Sequence, residues 1–454
     1  MPFVILPTNS ASGGYDITNS LRFNAGSSDY LNRTPASAGN RQKFTLSLWV
    51  KRSKLSTGQH ILMIDTGATA NFLYFASGSD QLVWYCYSSS GGVTDFYLQP
   101  NQVFRDVSAW YHIMLVVDTT LATADNRGRI YVNGSEVTSM LYRTNPTQNL
   151  NTLVNNTNQH NIGGTSNYFD AYLAETYLID GQALTPTSFG ETDEDTGIWK
   201  PKAYTGTYGT NGFYLQFKNS ASLGTDSSGN GNTFTVNNLT SIDQTTDTPT
   251  NNFCTLNPLI SAGNDGGNKQ VLSEGNLYVT GNKDSWCHSR GTISYSVGKW
   301  YWEAKITGKI ADMNIGVSNT GTNMFGGTVQ SLSGNTTIYP EGDKNINGTI
   351  TTGVFTAYSL GDIIGIAHNA DANTVTFYKN GSAILSDQSV SGGNDTTWTP
   401  ASAVYNTTGF FSFNFGSPIY TANGYTDGAG FGNFSYSVPA GYYSLNTKNL
   451  AQFG

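Results

Sequence analysis

The chain has 454 residues, enough for two or three domains of ordinary size, and a net charge of −8 at pH 7. Its 23 lysines and arginines are too few and too scattered for binding that depends on nucleic-acid phosphates or on an anionic membrane surface. Only 12% of the residues are charged, whereas 13% are aromatic and 51 are glycine, which excludes a disordered chain and favours short strands joined by turns.

The cysteines and the first residues indicate how the protein is made. Cys86, Cys254 and Cys287 are odd in number and form no CxxC pair, so neither a disulfide framework nor a zinc ribbon is expected. The apolar start MPFVILP lacks the basic region of a secretory signal, and no apolar run approaches the roughly 20 residues of a membrane span. We therefore expect a protein made in the cytoplasm, without membrane insertion.

Three stretches alternate between apolar and polar side chains with a period of two. Residues 44–50, 300–306 and 411–415 place apolar or aromatic side chains at every second position, as a strand with one face on a core does. Trp49 falls on the polar side of the first stretch, which indicates cover by a loop. No stretch has the apolar spacing of an ordinary amphipathic helix, so we predict an all-β chain.

The same hairpin pattern occurs twice. Residues 129–137 and 375–384 are strand-forming segments interrupted by Asn133-Gly134 and Asn380-Gly381. Asn-Gly supplies the positive φ angles that a type I′ turn requires. The repetition predicts two related β-sandwiches.

The composition changes between these hairpins, where residues 219–268 are dominated by Asn, Ser, Thr, Gly and Asp. We predict an N-terminal arm (1–14), a first sandwich (15–200), a polar connector with short strands (201–268), and a second sandwich (269–454). A last strand is expected near the C-terminus of the second sandwich, beginning at Tyr436.

Three sequences of the first half follow one another in a characteristic order: Phe44-Thr-Leu-Ser-Leu-Trp49-Val, Trp110-Tyr-His-Ile-Met-Leu-Val-Val-Asp118 and Ile130-Tyr-Val-Asn-Gly134. They resemble the strands of laminin-G-like, concanavalin A-type lectin domains. The resemblance covers about residues 15–190 and implies a concanavalin A-like sandwich.

The second half contains another ordered set: Gly298-Lys-Trp-Tyr301-Trp-Glu303, Ile315-Gly-Val-Ser318, Gly361-Asp-Ile-Ile-Gly365, Thr376-Phe-Tyr-Lys-Asn-Gly381 and Phe413-Asn-Phe-Gly416. These sequences resemble the SPRY domain. Together the two resemblances imply an all-β fold of two tandem concanavalin A-like, jelly-roll β-sandwiches.

This pair of modules resembles structural proteins of tailed bacteriophages, including marine ones. The resemblance implies a non-enzymatic virion protein, made in the host cytoplasm and exposed on a tail fibre, spike or capsid. Expected partners are other virion proteins and a host-surface glycan or protein. Virion parts are commonly symmetric oligomers, so we expect a homo-oligomer, with a trimer as the specific prediction. Phe3, Val4, Ile5 and Leu6 are the candidate anchor.

Tyr85 and Tyr87 are the candidate ligand-binding residues. In Leu82-Val-Trp84-Tyr-Cys86-Tyr, the two tyrosines face outward if Leu82, Trp84 and Cys86 face the core. Exposed tyrosines on a lectin-type sheet can stack on sugar rings. The alternative is that they pack against a neighbouring domain or subunit.

Calcium is the one cofactor that the laminin-G-like resemblance implies, because such domains often bind it at a sandwich rim. Asp118, Asp125 and Asn126 bracket a loop whose oxygens could serve as ligands. The alternative is that these residues are there for their turn conformations.

Two other functions are weighed against adhesion. A polysaccharide depolymerase requires paired carboxylates, and Glu175, Glu191, Asp193 and Asp195 are the dense supply near the first module. The sequence around Glu191 is more typical of a solvated acidic loop, and we assign no catalytic residue. A capsid or tail cement protein would use both modules only to bind neighbouring virion subunits.

Overall fold

The computed structural model describes residues 14–87, 94–260, 262–263, 270–282, 286–308, 313–321, 334–390, 397–405, 407 and 409–454. These residues form two compact units, the first reaching to Thr250 and the second running from Asn251 to Gly454. Each unit contains two large, mainly antiparallel β-sheets. The tandem arrangement of two β-sandwiches predicted from the sequence is confirmed.

The strands of the first unit are, in chain order, β1 (Ser20–Phe23), β2 (Tyr30–Arg33), β3 (Lys43–Arg52), β4 (Gln59–Asp65), β5 (Ala70–Phe75), β6 (Leu82–Tyr87), β7 (Thr94–Pro100), β8 (Tyr111–Asp118), β9 (Gly128–Val132), β10 (Ser135–Glu136), β11 (Met140–Thr144), β12 (His160–Ile162), β13 (Ala171–Asp180), β14 (Gly190–Thr192), β15 (Trp199–Pro201), β16 (Phe213–Leu215), β17 (Thr235–Asn237) and β18 (Gln244–Thr245). Short 3-10 helices lie at Ala25–Ser27, Ala124–Asn126, Pro186–Ser188 and Ser241–Asp243.

The first unit has a first sheet in the order β10-β9-β8-β3-β13-β1-β18, with β16 also on β13, and a second sheet in the order β11-β7-β6-β5-β4-β12-β2-β17. Their inner faces share one apolar core. Phe44 of the first sheet and Trp84 of the second meet there edge to face, with ring centroids 6.3 Å apart. The alternation of β3 and β6 thus places one side of each strand in the core.

The structure differs from the predicted polar connector. Residues 201–250 belong to the first unit, where β16 pairs with β13, β17 with β2 and β18 with β1. The reason is the burial of scattered apolar side chains in the core of this unit. They are Phe213, Leu215, Phe217, Leu223, Phe234 and Leu239.

The second unit contains, in chain order, β19 (Ala262–Gly263), β20 (Val271–Ser273), β21 (Tyr278–Thr280), β22 (Cys287–Arg290), β23 (Lys299–Ile306), β24 (Met313–Asn319), β25 (Asn335–Ile338), β26 (Lys344–Ile346), β27 (Thr349–Thr351), β28 (Ile363–Asn369), β29 (Thr374–Lys379), β30 (Ser382–Ser389), β31 (Trp398–Val404), β32 (Gly409–Asn414), β33 (Tyr443–Ser444) and the helix α1 (Thr447–Phe453). A 3-10 helix lies at Pro258–Ile260.

One sheet of the second unit runs β19-β22-β31-β24-β25-β26-β27, and the other runs β20-β21-β32-β23-β28-β29-β30. The C-terminal strand β33 begins at Tyr443, later than the predicted start at Tyr436, and pairs in parallel with β23. Around Tyr436 the backbone forms hydrogen bonds with a carboxylate and does not pair with a neighbouring strand. The N–H groups of Ser435 and Tyr436 donate to the buried Glu303 carboxylate at 2.9 Å.

Both predicted hairpins are confirmed. β9 pairs with β10 and β29 with β30 around the two Asn-Gly turns. Asn133 and Gly134 have φ of 47° and 80°, and Asn380 and Gly381 have φ of 50° and 80°. These left-handed angles are the ones that a type I′ turn requires.

Candidate functional site

The outer face of the second sheet carries the two predicted ligand-binding tyrosines. In β6, Leu82, Trp84 and Cys86 are at most 1% exposed and line the core. Tyr85 and Tyr87, at the alternate positions, are half-buried on the opposite face. The predicted orientation of β6 is therefore confirmed, whereas sugar binding by its tyrosines stays a prediction.

The structure places Tyr85 in a continuous line of rings, which we call the aromatic row. Its members are Tyr142 of β11, Tyr97 of β7, Tyr85 of β6, Phe72 of β5 and His60 of β4. Successive ring centroids lie 6.2, 5.5, 6.4 and 4.9 Å apart. Each neighbouring strand thus contributes one ring to a line that crosses the sheet.

Strand register explains why the rings meet. Phe72 lies opposite Tyr85 in the β5–β6 ladder, and Tyr85 lies opposite Tyr97 in the β6–β7 ladder. Directly opposed residues of antiparallel strands have Cβ atoms only about 5 Å apart, so aromatic pairs pack side by side. Tyr142 is the last ring of the row, and 60% of its surface is exposed. Tyr87 lies to one side of the row, with its ring centroid 5.4 Å from that of Tyr85.

Hydrogen bonds hold the polar side chains that flank the row. The Tyr97 hydroxyl donates to Gln99 Oε1 at 3.0 Å, Gln99 Nε2 donates to Gln81 Oε1 at 2.8 Å, and Gln81 Nε2 donates to the Pro100 carbonyl at 3.0 Å. Such a chain fixes side-chain orientation before any ligand arrives. The row is therefore a preorganised surface.

His60, at the other end of the row, is a neutral ring at neutral pH. Its Nδ1 donates to the Ser166 carbonyl at 2.9 Å, because a carbonyl oxygen can only accept. Burial lowers the pKa of His60 below its ordinary value of 6.5. Stacking on Phe72 at an interplanar angle of 10° makes the imidazole a continuation of the aromatic surface.

Sequence reasoning found Tyr85 and Tyr87 but missed Tyr142, Tyr97 and Phe72. A signal was present, because Phe72 and Tyr74 alternate with core residues in β5, as Tyr97 does in β7. Assigning them to one surface requires the register of four ladders. Register depends on contacts between strands that are distant in sequence.

Asp118, the first carboxylate of the predicted calcium site, has a basic partner. Its Oδ2 lies 2.9 Å from Lys43 Nζ, and its Oδ1 accepts hydrogen bonds from the hydroxyl and backbone N–H of Thr120. These contacts outweigh burial and hold the pKa of Asp118 below its ordinary value.

Asp125 and Asn126 share a 3-10 helix, and Asp125 also has partners from the chain. Its Oδ1 accepts a hydrogen bond from Asn145 Nδ2 at 2.6 Å and lies 3.5 Å from Arg143 Nε. Within the described residues, no group of three or more His, Cys, Asp or Glu side chains is placed to hold a metal ion. The donor set as it stands suits two ion pairs better than one cation, and calcium here stays a prediction.

The acidic residues of the depolymerase hypothesis fall into two different environments. Glu191 lies in β14 and Asp193 follows that strand, and both lie near Lys200 Nζ of β15, at 3.5 and 3.2 Å. Asp193 also accepts hydrogen bonds from Thr196. Asp195 is exposed in the connecting turn. This geometry is that of a solvated, lysine-neutralised hairpin.

Glu175 lies instead on β13 beneath a group of tyrosines. Its carboxylate accepts hydrogen bonds from the hydroxyls of Tyr15 at 2.9 Å, Tyr214 at 2.6 and 2.7 Å, and Tyr177. Burial raises the pKa of Glu175, and the phenol donors oppose that rise in part. Its φ of 47° lies at a β-bulge between Ala174 and Tyr177.

The candidate anchor residues Phe3, Val4, Ile5 and Leu6 lie outside the described residues. In the part of the chain that the structure describes, no helix has the length and apolar character needed to cross a membrane.

Comparisons with known proteins identify both modules. Residues 25–188 match the concanavalin A-like lectin/glucanases superfamily, and residues 299–417 match the SPRY domain. The chain therefore contains a laminin-G-like, concanavalin A-like domain followed by a SPRY domain. No curated protein matches the chain.

Solved structures show similar folds. The SPRY domain of human HERC1 shares 18% identity over 35% of this chain and 94% of that chain, with a TM-score of 0.29. A heptameric SAP-like pentraxin from Limulus polyphemus shares 15% identity over 38% and 80%, with a TM-score of 0.29. A Bacteroides ovatus protein proposed to bind carbohydrate shares 14% identity over 49% and 59%, with a TM-score of 0.33.

Proposed function

We propose that this protein is a non-enzymatic adhesion protein on the exterior of a bacteriophage particle, and that the aromatic row binds a host-surface glycan. The observation that carries the proposal is the row itself. Rings from five neighbouring strands form one surface, and its end ring, Tyr142, is 60% exposed. Partly exposed aromatic rings bind ligands that have both an apolar face and polar edges, as sugars do.

The carboxylates support adhesion over glycan cleavage. A retaining glycosidase places two carboxyl groups about 5 Å apart on either side of the bond that is cleaved. Here Glu175 is enclosed by phenol groups, whereas Glu191 and Asp193 share one lysine. Glu175 lies on the first sheet and the aromatic row on the second, so the row is not part of a site built on that carboxylate, whereas adhesion needs the row alone.

Assignment to a virion rests on the sequence resemblance and on composition. Only 12% of the residues of the chain are charged, so few ion pairs are available for salt to screen, which suits a particle assembled inside a cell and used outside it. We propose a trimer on the particle, which light scattering of the purified chain tests directly. A mass other than that of three chains would contradict the proposed trimer and would leave the proposal of glycan binding unchanged.

The binding test is a glycan array of bacterial surface sugars probed with the full chain and with Tyr85→Ala. We expect the wild type to bind at least one glycan and Tyr85→Ala to bind it about tenfold more weakly, the equivalent of about 1.4 kcal/mol for one lost stacking contact. Tyr87→Ala should have a smaller effect, because Tyr87 lies beside the row.

The matched control is Tyr425→Ala, which removes a 47%-exposed tyrosine from the second unit. It should bind as the wild type does. Equal binding by Tyr85→Ala and the wild type would overturn the proposal. Electron cryomicroscopy of the particle would also overturn it by showing the row buried against another subunit, as the cement hypothesis requires.

A further inference from the structure

We infer that the ligand of the aromatic row is an extended, electrically neutral polysaccharide chain that lies across the strands of the second sheet. The inference rests on the proposed glycan-binding function and deepens it, because it names the class of glycan. Two independent observations carry it: the length and direction of the row, and the absence of basic side chains from the strands at its centre.

The row is long and open, whereas a binding site for a single sugar is usually a small pocket. Its rings occupy β11, β7, β6, β5 and β4, which are consecutive neighbours in the sheet. Adjacent strands lie about 4.8 Å apart, so the accessible rings, from Tyr142 to Phe72, extend about 14 Å perpendicular to them. His60 continues the row but is buried. A single sugar contacts one or two of these rings. The whole row is used only by a chain of several sugar units.

Four of the five strands beneath the row carry no lysine or arginine. β4, β5, β6 and β7 contain no lysine or arginine, and their charged residues are Asp65 and Asp95. A polysaccharide with uronate or sulfate groups would therefore meet carboxylates of its own sign and find no cation to pair with.

The basic residue nearest in sequence to the row is turned to other partners. Arg143 on β11 donates from Nε to Asn145 Oδ1 at 2.7 Å and from its terminal nitrogen to the Asp125 carbonyl at 2.6 Å. These bonds engage the guanidinium with the neighbouring loop. The imidazole of His60 adds no charge, because burial lowers its pKa. The row thus favours a neutral chain.

The test for charge is affinity gel electrophoresis of the full chain in gels that contain one soluble polysaccharide each. The neutral probes are galactomannan, xyloglucan and dextran, the acidic probes are alginate and polygalacturonate, and the cationic probe is trimethylated chitosan, which keeps its charge and solubility at neutral pH. We expect retardation by at least one neutral probe and by neither acidic probe. Tyr85→Ala should abolish most of the retardation, and Tyr425→Ala should leave it unchanged.

The test for length uses calorimetry with oligosaccharides of one to six units cut from the polysaccharide that retards the protein. Affinity should rise by more than tenfold between one and four units and then level off. Tyr85→Ala, in the middle of the row, should weaken binding of every oligosaccharide. Tyr142→Ala, at the exposed end, should weaken binding of the long oligosaccharides severalfold and leave the short ones unchanged.

The outcomes separate the two proposals. Tyr85-dependent retardation by an acidic or cationic probe, or equal affinity for one and six units, would overturn the neutral-chain inference and leave glycan binding standing. Equal retardation of the wild type and Tyr85→Ala, or no retardation by any probe, would overturn glycan binding by the row and the inference with it.

Discussion

The outer faces of the two sheets of the first unit both carry aromatic side chains, but one face is covered and the other is open. On the first sheet, Trp49, Tyr172 and Tyr177 are at most 2% exposed. Segments of the same unit cover them. The covering aromatic side chains are Tyr15, Phe189, Trp199, Tyr204, Tyr208 and Tyr214. On the second sheet, four rings of the row, from Tyr142 to Phe72, remain partly exposed on an outer face, and the fifth, His60, is buried.

Aromatic content alone therefore does not identify a binding surface. Alternation within a strand shows which side chains share a face, because successive residues point to opposite sides. Cover depends on other segments, here residues 15–17 and 189–214, which are remote from the strands that they protect. An exposed aromatic face is informative because burying those rings would be favourable and the unit has left them accessible.

Truncating one ring on each face should give very different losses of stability. Trp49→Ala should lower the free energy of unfolding of the first unit by about 3–5 kcal/mol, because it leaves a cavity in the buried cluster that Trp49 forms with Trp110 and Tyr172. Tyr142→Ala should change it by no more than about 0.5 kcal/mol, because most of that ring contacts solvent. Urea unfolding followed by circular dichroism measures both.

Similar losses for the two variants would contradict the distinction between covered and open faces. They would indicate that the aromatic row is structural, packed against something that stabilises the unit in solution. A self-associated state would then be the first thing to examine by light scattering.

A smaller effect is expected from the ion pairs of the first sheet. Lys51 Nζ and Asp247 Oδ2 lie 2.7 Å apart with side chains 0% and 2% exposed, and Trp110 donates to the other oxygen of Asp247. Asp247→Asn should cost about 3 kcal/mol, because it removes the Asp247 charge that lies against the fully buried Lys51 ammonium.

The matched control is the Lys43–Asp118 pair, at 2.9 Å with the Lys43 side chain 36% exposed. Asp118→Asn should cost less than about 1 kcal/mol, because water screens this pair and the amide can still accept hydrogen bonds from Thr120. Equal costs in urea unfolding would mean that Lys51 reaches water once Asp247 is removed, so that the cover over the first sheet is loose.

Sequence patterns predicted the sandwiches because the physical signals are local. Alternation in β3, β23 and β32 and the two Asn-Gly turns require only neighbouring residues. The assignment of residues 201–250 to the first unit could not be predicted in this way. Phe213 and Phe234 are sparse among polar residues, and their burial depends on pairing with β13 and β2.

The candidate site was only partly predictable, for the same reason. Tyr85 and Tyr87 lie on one strand, so their shared face follows from spacing alone. The other rings join them through the register of separate ladders. From the sequence, Glu175 is one of several acidic residues near the first module. Its phenol partners Tyr15 and Tyr214 come from segments 160 and 39 residues away.

The smallest expected effect is a pH dependence at Glu175, where the cover meets the first sheet. Burial raises the pKa of Glu175 above the 4.5 of an exposed glutamate. The folded chain therefore binds this proton more tightly than the unfolded chain does. The stability that Glu175 contributes is complete below about pH 4.5, the ordinary glutamate value, and is lost as the pH rises through the folded-state pKa.

Glu175→Gln removes this titration while keeping a side chain of the same shape. As the pH rises from 4 to 8, the urea concentration at the unfolding midpoint should therefore increase for the variant relative to the wild type. A difference that stays constant would mean that the phenol donors fully compensate for burial. A difference of the opposite sign would mean that Tyr15, Tyr177 and Tyr214 stabilise the anion more than burial destabilises it. In that case the carboxylate would hold the cover in place by its charge.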